Sequence, residues 1–341
     1  MVNPLRNTVN RELLLQQTVT EKIPRTTLSF YRYVTIEDPR KLRDELFKKW
    51  SALGVKGRIY IANEGINAQL SLPTKELDAF RAHLDISDYF KDMPFKIAVE
   101  DGISFLKLTL KVKQFIVADG LPAGTYDVNN VGTHLTPEEF HAAVDDPNTV
   151  VVDVRNHYES RIGKFEGALT PDADTFREEL PLIAQMLQDK KDKKILLYCT
   201  GGIRCEKASS YLKHQGFNDV NQLHGGIIYY AHAMREKGIT PKFKGRNFVF
   251  DERLSEEVTP DILTTCDQCE DKSNAYTNCS NEMCNLLFIQ CAGCREKMHG
   301  ACSEKCMKIA LLPDNERRML RKKQTPKSHK QFISRQRPSL K

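Results

Sequence analysis

Eight of the chain's ten cysteines fall between Cys266 and Cys306, and this clustering constrains the fold more than any other feature. The order is Cys266-x2-Cys269-x9-Cys279-x4-Cys284-x6-Cys291-x2-Cys294-x7-Cys302-x3-Cys306. So short a segment, with few large apolar residues, cannot be held together by hydrophobic burial alone. The two CxxC pairs have the knuckle spacing of tetrahedral thiolate sites, and eight cysteines suffice for two sites of four. Two structural zinc ions are therefore expected, closed to substrate and supplying the folding energy of the segment. A crossed pairing joins Cys266, Cys269, Cys291 and Cys294 in one site and Cys279, Cys284, Cys302 and Cys306 in the other. A sequential pairing divides them four and four along the chain. The crossed form is favoured. Disulfides and an iron–sulfur cluster are the alternatives, and the second would matter because it could pass electrons to oxygen. His299 could stand in for a ligand, but eight cysteines already suffice.

The rest of the sequence argues against disulfides. The opening MVNPLRNTVNRELLLQQ has no apolar stretch of the kind a secretory signal needs, so a reducing cytoplasm is the expected location. No apolar run approaches the ~20 residues of a membrane span, so no membrane partner is expected. At 40% hydrophobic and 28% charged residues the 341-residue chain has ordinary globular composition, enough for two or three domains. Its formal charge of +6 is unevenly placed: Arg317 to Lys341 carries +10 and the remainder −4. The basic tail has two prolines and no apolar periodicity. It is expected to be disordered in isolation, and reads either as a phosphate-backbone anchor for RNA or as a solvated terminus.

Along the chain, residues 1–24 read as a polar lead-in. Thr26 to Val34 alternates like a strand, and Asp38 to Leu53 places Leu42, Leu46, Phe47 and Trp50 on one helical face. Two strands then flank Asn63-Glu64-Gly65. A helix over Lys75–Leu84 and strands over Phe95–Val99 and Phe105–Val112 complete a βαββαβ order, the pattern of a ferredoxin-like (acylphosphatase-like) α+β domain over 25–118. In EGINAQ, Glu64, Gly65 and Asn67 read either as a turn facing substrate or as a plain hairpin. A connector over 119–134 follows. Thr136-Pro137-Glu138-Glu139 has the signature of a helix start. The strands Thr149–Val154, Lys194–Tyr198 and Val220–Leu223 then alternate with helical stretches, implying a parallel α/β domain over 135–245. The Cys-rich zinc-binding module occupies 246–312 and the basic tail 313–341.

The two remaining cysteines, Cys199 and Cys205, stand where a strand ends and a helix begins, in the sequence Cys199-Thr200-Gly201-Gly202-Ile203-Arg204-Cys205. Ligands of α/β domains bind beyond the carboxyl ends of the strands. Two glycines allow a tight turn whose N–H groups point inward, and the helix N-terminus and Arg204 add positive potential. All three favour a thiolate, so Cys199 is expected to be a reactive, low-pKa cysteine in an anion-binding loop formed by Thr200, Gly201, Gly202 and Ile203. Cys205 reads either as a partner in its redox chemistry or as a small core residue. Arg155 reads either as an anion ligand of this site or as a salt-bridge partner of Glu159, and His157 reads as structural rather than as an acid–base group.

Asp153-Val-Arg-Asn-His-Tyr-Glu159, Gly167-Ala168, the Cys199–Arg204 loop and Leu223-His-Gly-Gly226 together resemble a rhodanese domain. In rhodaneses the six-residue Cys-x-x-x-x-Arg loop carries a persulfide; the related phosphatase loop is one residue longer. The likeness extends to RTTLSFYRY (Arg25–Tyr33), EGINAQ (Glu64–Gln69), ADTFREELP (Ala173–Pro181), NFVFDER (Asn247–Arg253) and LLFIQC (Leu286–Cys291). In this order, over roughly residues 25–310, the sequence is similar to the bacterial rhodanese-type tRNA uridine 5-hydroxylases. The resemblance implies an oxidoreductase that hydroxylates the wobble uridine of tRNA with molecular oxygen as co-substrate, recognises the anticodon loop and requires Cys199. Nothing in the chain marks its electron donor or oligomeric state. The residues alone point to sulfur transfer as the simplest use of such a thiolate. A sulfurtransferase acting on tRNA or thiols and a non-catalytic RNA-binding scaffold are thus the competing readings.

Overall fold

In the computed structural model, which describes residues 5, 9, 11–122, 124–323 and 340, the alternation of the N-terminal segment becomes one five-stranded sheet. A helix α1 (Arg11–Glu21) precedes it, where only a polar lead-in is expected. Its three leucines are consecutive rather than spaced by a turn, so it lacks an amphipathic signature. Leu14 is nevertheless buried, and Lys56 donates a hydrogen bond to Thr18. Then come β1 (Arg25–Tyr33), α2 (Pro39–Ala52), β2 (Lys56–Ala62), β3 (Gly65–Pro73), a 3-10 turn at Thr74–Glu76, α3 (Leu77–Asp85), β4 (Lys96–Ile97) and β5 (Leu108–Val112). The strand order is β4-β1-β3-β2-β5, antiparallel except for β5 beside β2. The Asp38 carboxylate accepts from the N–H groups of Arg40 and Lys41, and Pro39 opens α2. Leu28, Phe30, Ile59, Ile61, Ile66, Ala68 and Leu70 share the sheet face packed on Trp50 and Phe80, whose rings lie 5.2 Å apart. The period of two sends Ser29, Tyr31, Arg58, Tyr60, Asn67 and Gln69 to the opposite face. That polar face looks toward the second domain.

The second domain contains β6 (Thr133–Leu135), α4 (Pro137–Ala143), β7 (Thr149–Asp153), α5 (His157–Ser160), β8 (Gly163–Phe165), α6 (Phe176–Met186), β9 (Lys194–Tyr198), α7 (Ile203–His214), β10 (Val220–Leu223) and α8 (Gly226–Lys237). Strands β6, β10, β9 and β7 form a parallel sheet in that order. α4 opens with a reciprocal capping box between Thr136 and Glu139. Apolar layers cover both sheet faces, one built on Phe176, Leu180, Ile183 and Leu212, the other on Phe140, Ile227, Tyr230 and Met234. This two-sided burial explains the continuous apolar runs of β7 and β9. The connector 119–134 is docked on this domain: Tyr126 donates to Asp119, and Lys207 pairs with Asp119 and with Glu64 of the first domain.

The third region begins with β11 (Phe243–Phe248) and β12 (Ser255–Glu257), followed by β13 (Tyr276–Asn278), β14 (Leu287–Ile289), α9 (Ala292–Lys297), α10 (Glu304–Ala310) and α11 (Asp314–Lys323). β11 pairs with both β12 and β8, so the division drawn at 245/246 runs through a strand that joins the two domains. A shared core of Tyr158, Ile162, Phe248, Tyr276 and Ile289 fixes the cysteine-rich module to the parallel domain. α11 corrects the expectation of a disordered tail for residues 314–323. Asp314 and Glu316 complement its N-terminal dipole, and Asp314 pairs with Arg317 and Arg318 one turn on. Most of the basic tail, residues 324–339, lies outside the described residues. No helix among the described residues is long and apolar enough to cross a membrane.

Candidate active site

Cys199 follows β9 directly, and its side chain is almost completely buried. The loop turns at Gly202, which adopts a left-handed conformation with φ +96° and caps α7. A Cβ there would be strained by that conformation and would lie 2.9 Å from the Tyr31 hydroxyl oxygen. The turn brings the Gly202 N–H to 3.1 Å from Cys199 Sγ. α8 braces the loop from behind: the N–H groups of Ile227 and Ile228 donate to the carbonyls of Cys199 and Thr200 at 3.0 and 3.2 Å. A side chain at Gly226 would collide with those two carbonyl oxygens, which is why α8 opens on a glycine.

Burial by itself would raise the Cys199 pKa. It is outweighed by a hydrogen bond from Cys205, the charge of Arg204 and the backbone N–H groups of Arg204 and Gly202, and the thiol falls to about 5. Cys205 is also buried and is pushed well up, first by desolvation and then by the neighbouring thiolate. The pair is thus a thiolate accepting from a thiol. The Arg204 guanidinium forms a two-pronged pair with Glu159, Nη1–Oε1 2.6 Å and Nη2–Oε2 2.8 Å. Glu159 is the residue that sequence reasoning misses here, since spacing suggests it only as a partner for Arg155. Arg155 does not reach the loop. It is fully buried, forked onto Asp153 at 2.8 and 2.7 Å, and donates to the Gly163 carbonyl. That fork accounts for both its failure to bind anions at the loop and the absence of the Glu159 bridge. His157 pairs with Asp174 at 2.9 Å, as expected of a structural histidine. Glu64 is likewise used structurally, accepting from the Ile116 N–H at 2.7 Å.

In front of Cys199 lies a cavity of about 320 Å³ walled by all three regions. This is at the lower end of the roughly 300–1,000 Å³ typical of small-molecule sites. The parallel domain contributes Cys199, Thr200, Gly201 and Ile203, and the third region Phe250 and Arg253. The N-terminal sheet contributes its polar face. Strand register sets Tyr31, Asn67 and Tyr60 side by side in one row, and Ser29, Gln69 and Arg58 in the next. Tyr31 also donates to Glu206 at the start of α7 at 2.7 Å, tying the sheet to the Cys199 loop. Glu256 holds the third wall in place, accepting from the Val99 N–H at 3.0 Å and pairing with Arg253 at 2.7 Å. Asn67 thus does face the site. Tyr31, Tyr60 and Lys96, which also lines the cavity, carry no motif that marks them; for the tyrosines the alternate positions of β1 and β2 are the available signal. The arrangement can hold a flat polar ring against aromatic and amide groups while offering it a thiolate.

The eight clustered cysteines form two groups: Cys266, Cys269, Cys291 and Cys294, and Cys279, Cys284, Cys302 and Cys306. This is the crossed pairing. Within each group all sulfurs lie within 4.8 Å of one another. Cys269 and Cys291 are 3.5 Å apart, and Cys284 and Cys302 are 3.7 Å apart. A tetrahedron with metal–sulfur distances of about 2.3 Å has edges of about 3.8 Å. The donor sets therefore fit a four-thiolate metal ion. The Cys294 N–H points at Cys291 Sγ and the Cys302 N–H at Cys279 Sγ, which stabilises bound thiolates.

Residues 25–116 match the UPF0176 acylphosphatase like domain, 136–233 the rhodanese-like domain and 244–307 the rhodanase C-terminal domain. A tRNA uridine(34) hydroxylase of Leptospira interrogans is 55% identical over 320 residues, covering 94% of this chain and 87% of that protein. Proteins of the same name from Escherichia fergusonii and Photorhabdus laumondii are 48% and 47% identical, each covering 93% of this chain and 91% of theirs. Among solved structures, the rhodanese-like domain of an Anabaena protein covers 38% of this chain and 86% of its own, at 18% identity and a TM-score of 0.27, too low to add to the assignment. On the strength of full-length relatives that span all three regions, the chain belongs to the tRNA uridine(34) hydroxylase family.

Proposed function

We propose that this protein hydroxylates carbon 5 of the wobble uridine in tRNA, in the cytoplasm, with molecular oxygen as co-substrate and Cys199 as the reacting thiolate. The observation that carries this is the joint one: relatives of that name match over 93–94% of the chain, and the buried thiolate faces a cavity sized for one small polar ring. The base must leave the anticodon stack to enter, as it does in other enzymes that act on a nucleobase. Tyr31 and Tyr60 then offer it aromatic faces, with the Asn67 amide between them and Gln69 in the next row to meet its polar edge.

Addition of Cys199 Sγ to carbon 6 uses this geometry directly. The sulfur–carbon bond forms as the C5=C6 pair moves toward carbon 5 and O4, leaving carbon 5 electron-rich toward oxygen. Gly202 N–H, Arg204 and the Cys205 thiol hold Cys199 as the anion needed for that attack. Hydroxylation by oxygen takes up two electrons and two protons besides, so a two-electron donor belongs to the reaction. Thr200, Gly201, Gly202 and Ile203 serve to shape the loop, and Cys205 serves as its proton-bearing partner. Zinc fits both cysteine groups and would make the C-terminal wall of the cavity rigid. The basic tail and the anticodon loop are complementary in charge.

The short Cys-x-x-x-x-Arg loop also suits a persulfide, so a sulfurtransferase is the second reading. Nucleoside mass spectrometry of tRNA from cells lacking this protein separates the two. Loss of an oxygen atom from wobble uridine supports hydroxylation; loss of sulfur supports transfer. No change in either would leave only a scaffold.

A further inference from the structure

Lys96 sits on the two-residue edge strand β4, and its side chain is nine-tenths buried or more, at 5% exposure. Lysine is almost never this buried without a partner. Among the described residues no carboxylate pairs with it. Its ammonium lies 4.4 Å over the Tyr31 ring and 5.9 Å from that of Tyr229, and it lines the cavity that holds Cys199. Its stem passes beside Gly201, the second residue after Cys199. Desolvation lowers its pKa to about 8, with Cys199 and Glu206 opposing the shift, so near neutral pH it is mostly an ammonium. A buried cation lining a cavity, with no hydrogen-bond acceptor for its ammonium among the described residues, awaits one on the ligand.

We propose that Lys96 reads O4 of the target uracil and so makes this site selective for uridine over cytidine. The inference rests on the reading of the cavity as a uridine site. Carbon 4 is the neighbour of carbon 5, so a base set with the face of its C5=C6 bond toward Cys199 brings its C4 substituent near the loop and Lys96. Uracil carries a carbonyl there and cytosine an amino group. An ammonium has three donors and no acceptor, so it bonds the first and opposes the second. The same contact assists the reaction: as sulfur bonds to carbon 6, the displaced pair develops negative charge on O4, which the Lys96 ammonium stabilises. No electrons enter or leave in this step.

The test uses the full-length protein and two anticodon stem-loop RNAs that differ only in U or C at the wobble position, with binding read by fluorescence anisotropy. The wild type is expected to favour U by roughly tenfold or more. Lys96→Met should bind both equally, and Lys96→Arg should keep the preference. Should Lys96→Met not fold, as judged by circular dichroism and zinc content, Lys96→Gln serves instead. Its amide can donate or accept, so it too should bind U and C alike. An unchanged preference in the uncharged variant overturns the proposal, even if hydroxylation is lost, because Lys96 would then act only as a counter-ion to Cys199. Binding is read independently of turnover, so U/C selectivity through Lys96 in a protein that never hydroxylates would overturn the proposed function alone.

Discussion

At the scale of single residues, the proposed chemistry depends on one thiol ionising far below the usual range. A free cysteine titrates near 8.5, and Cys199 titrates at about 5. The difference in thiolate absorbance between wild type and Cys199→Ser should therefore appear with a midpoint near 5 as pH rises. The shift is downward, so Cys199 is ionised above about 5 and becomes a thiol below it, and activity should fall as pH drops through that value. Cys205→Ala removes a donor to the thiolate and should move the midpoint upward; an unchanged midpoint would mean that the Cys205 hydrogen bond does nothing. Cys199 itself is legible because its cause is local: glycines, a helix start and Arg204 all lie within six residues. Glu159, Lys96 and Tyr31 are not, because each meets the loop through space from another element. Arg155 misleads because Glu159 stands one helical turn ahead of it in sequence, whereas its partner is Asp153, two residues back at the end of β7 and on the same side of the extended chain.

Elements are legible where one face is buried and obscure where they are short. β1, α2 and β9 have strong periodicity or apolar runs, and they stand within a residue or two of their expected bounds. β6, α5 and β8 have three or four residues each, too few to show a period, and the sequence does not announce them. The loop element is the most exacting. Gly202→Ala places a side chain at φ +96° against Tyr31. It should cost about 1–2 kcal/mol from the left-handed backbone alone, seen as a lower Tm. It should also raise the Cys199 midpoint as the Gly202 N–H retreats. In the cysteine-rich module, the spacing reveals the donors, and only the structure resolves the crossed pairing. Purified protein should carry two equivalents of zinc per chain and no visible absorption. Chelation should unfold the module and, through Phe248 and Tyr276, loosen the cavity wall; one equivalent or less of zinc with visible colour would contradict the assignment.

The whole molecule explains why three domains travel together: none of them contains the site alone. The N-terminal sheet supplies the polar wall, the parallel domain the thiolate and the third region the closing side, and Lys207 and Glu256 pin them to one another. Net charge conceals a second division, between a −4 body and the +10 of residues 317–341. Deleting 317–341 should weaken tRNA binding and reduce the slope of log affinity against log salt by about 0.7–0.9 for each phosphate the tail neutralises. Unchanged binding would mark the tail as a solvated terminus. The central claim is that Cys199 hydroxylates the wobble uridine, and the most direct measurement is nucleoside mass spectrometry of tRNA from cells that lack the chromosomal protein and carry either wild type or Cys199→Ser on a plasmid. The wild type should restore 5-hydroxylated uridine derivatives at the wobble position, and Cys199→Ser, expressed to the same level, should leave them absent. Full restoration by Cys199→Ser would contradict the account.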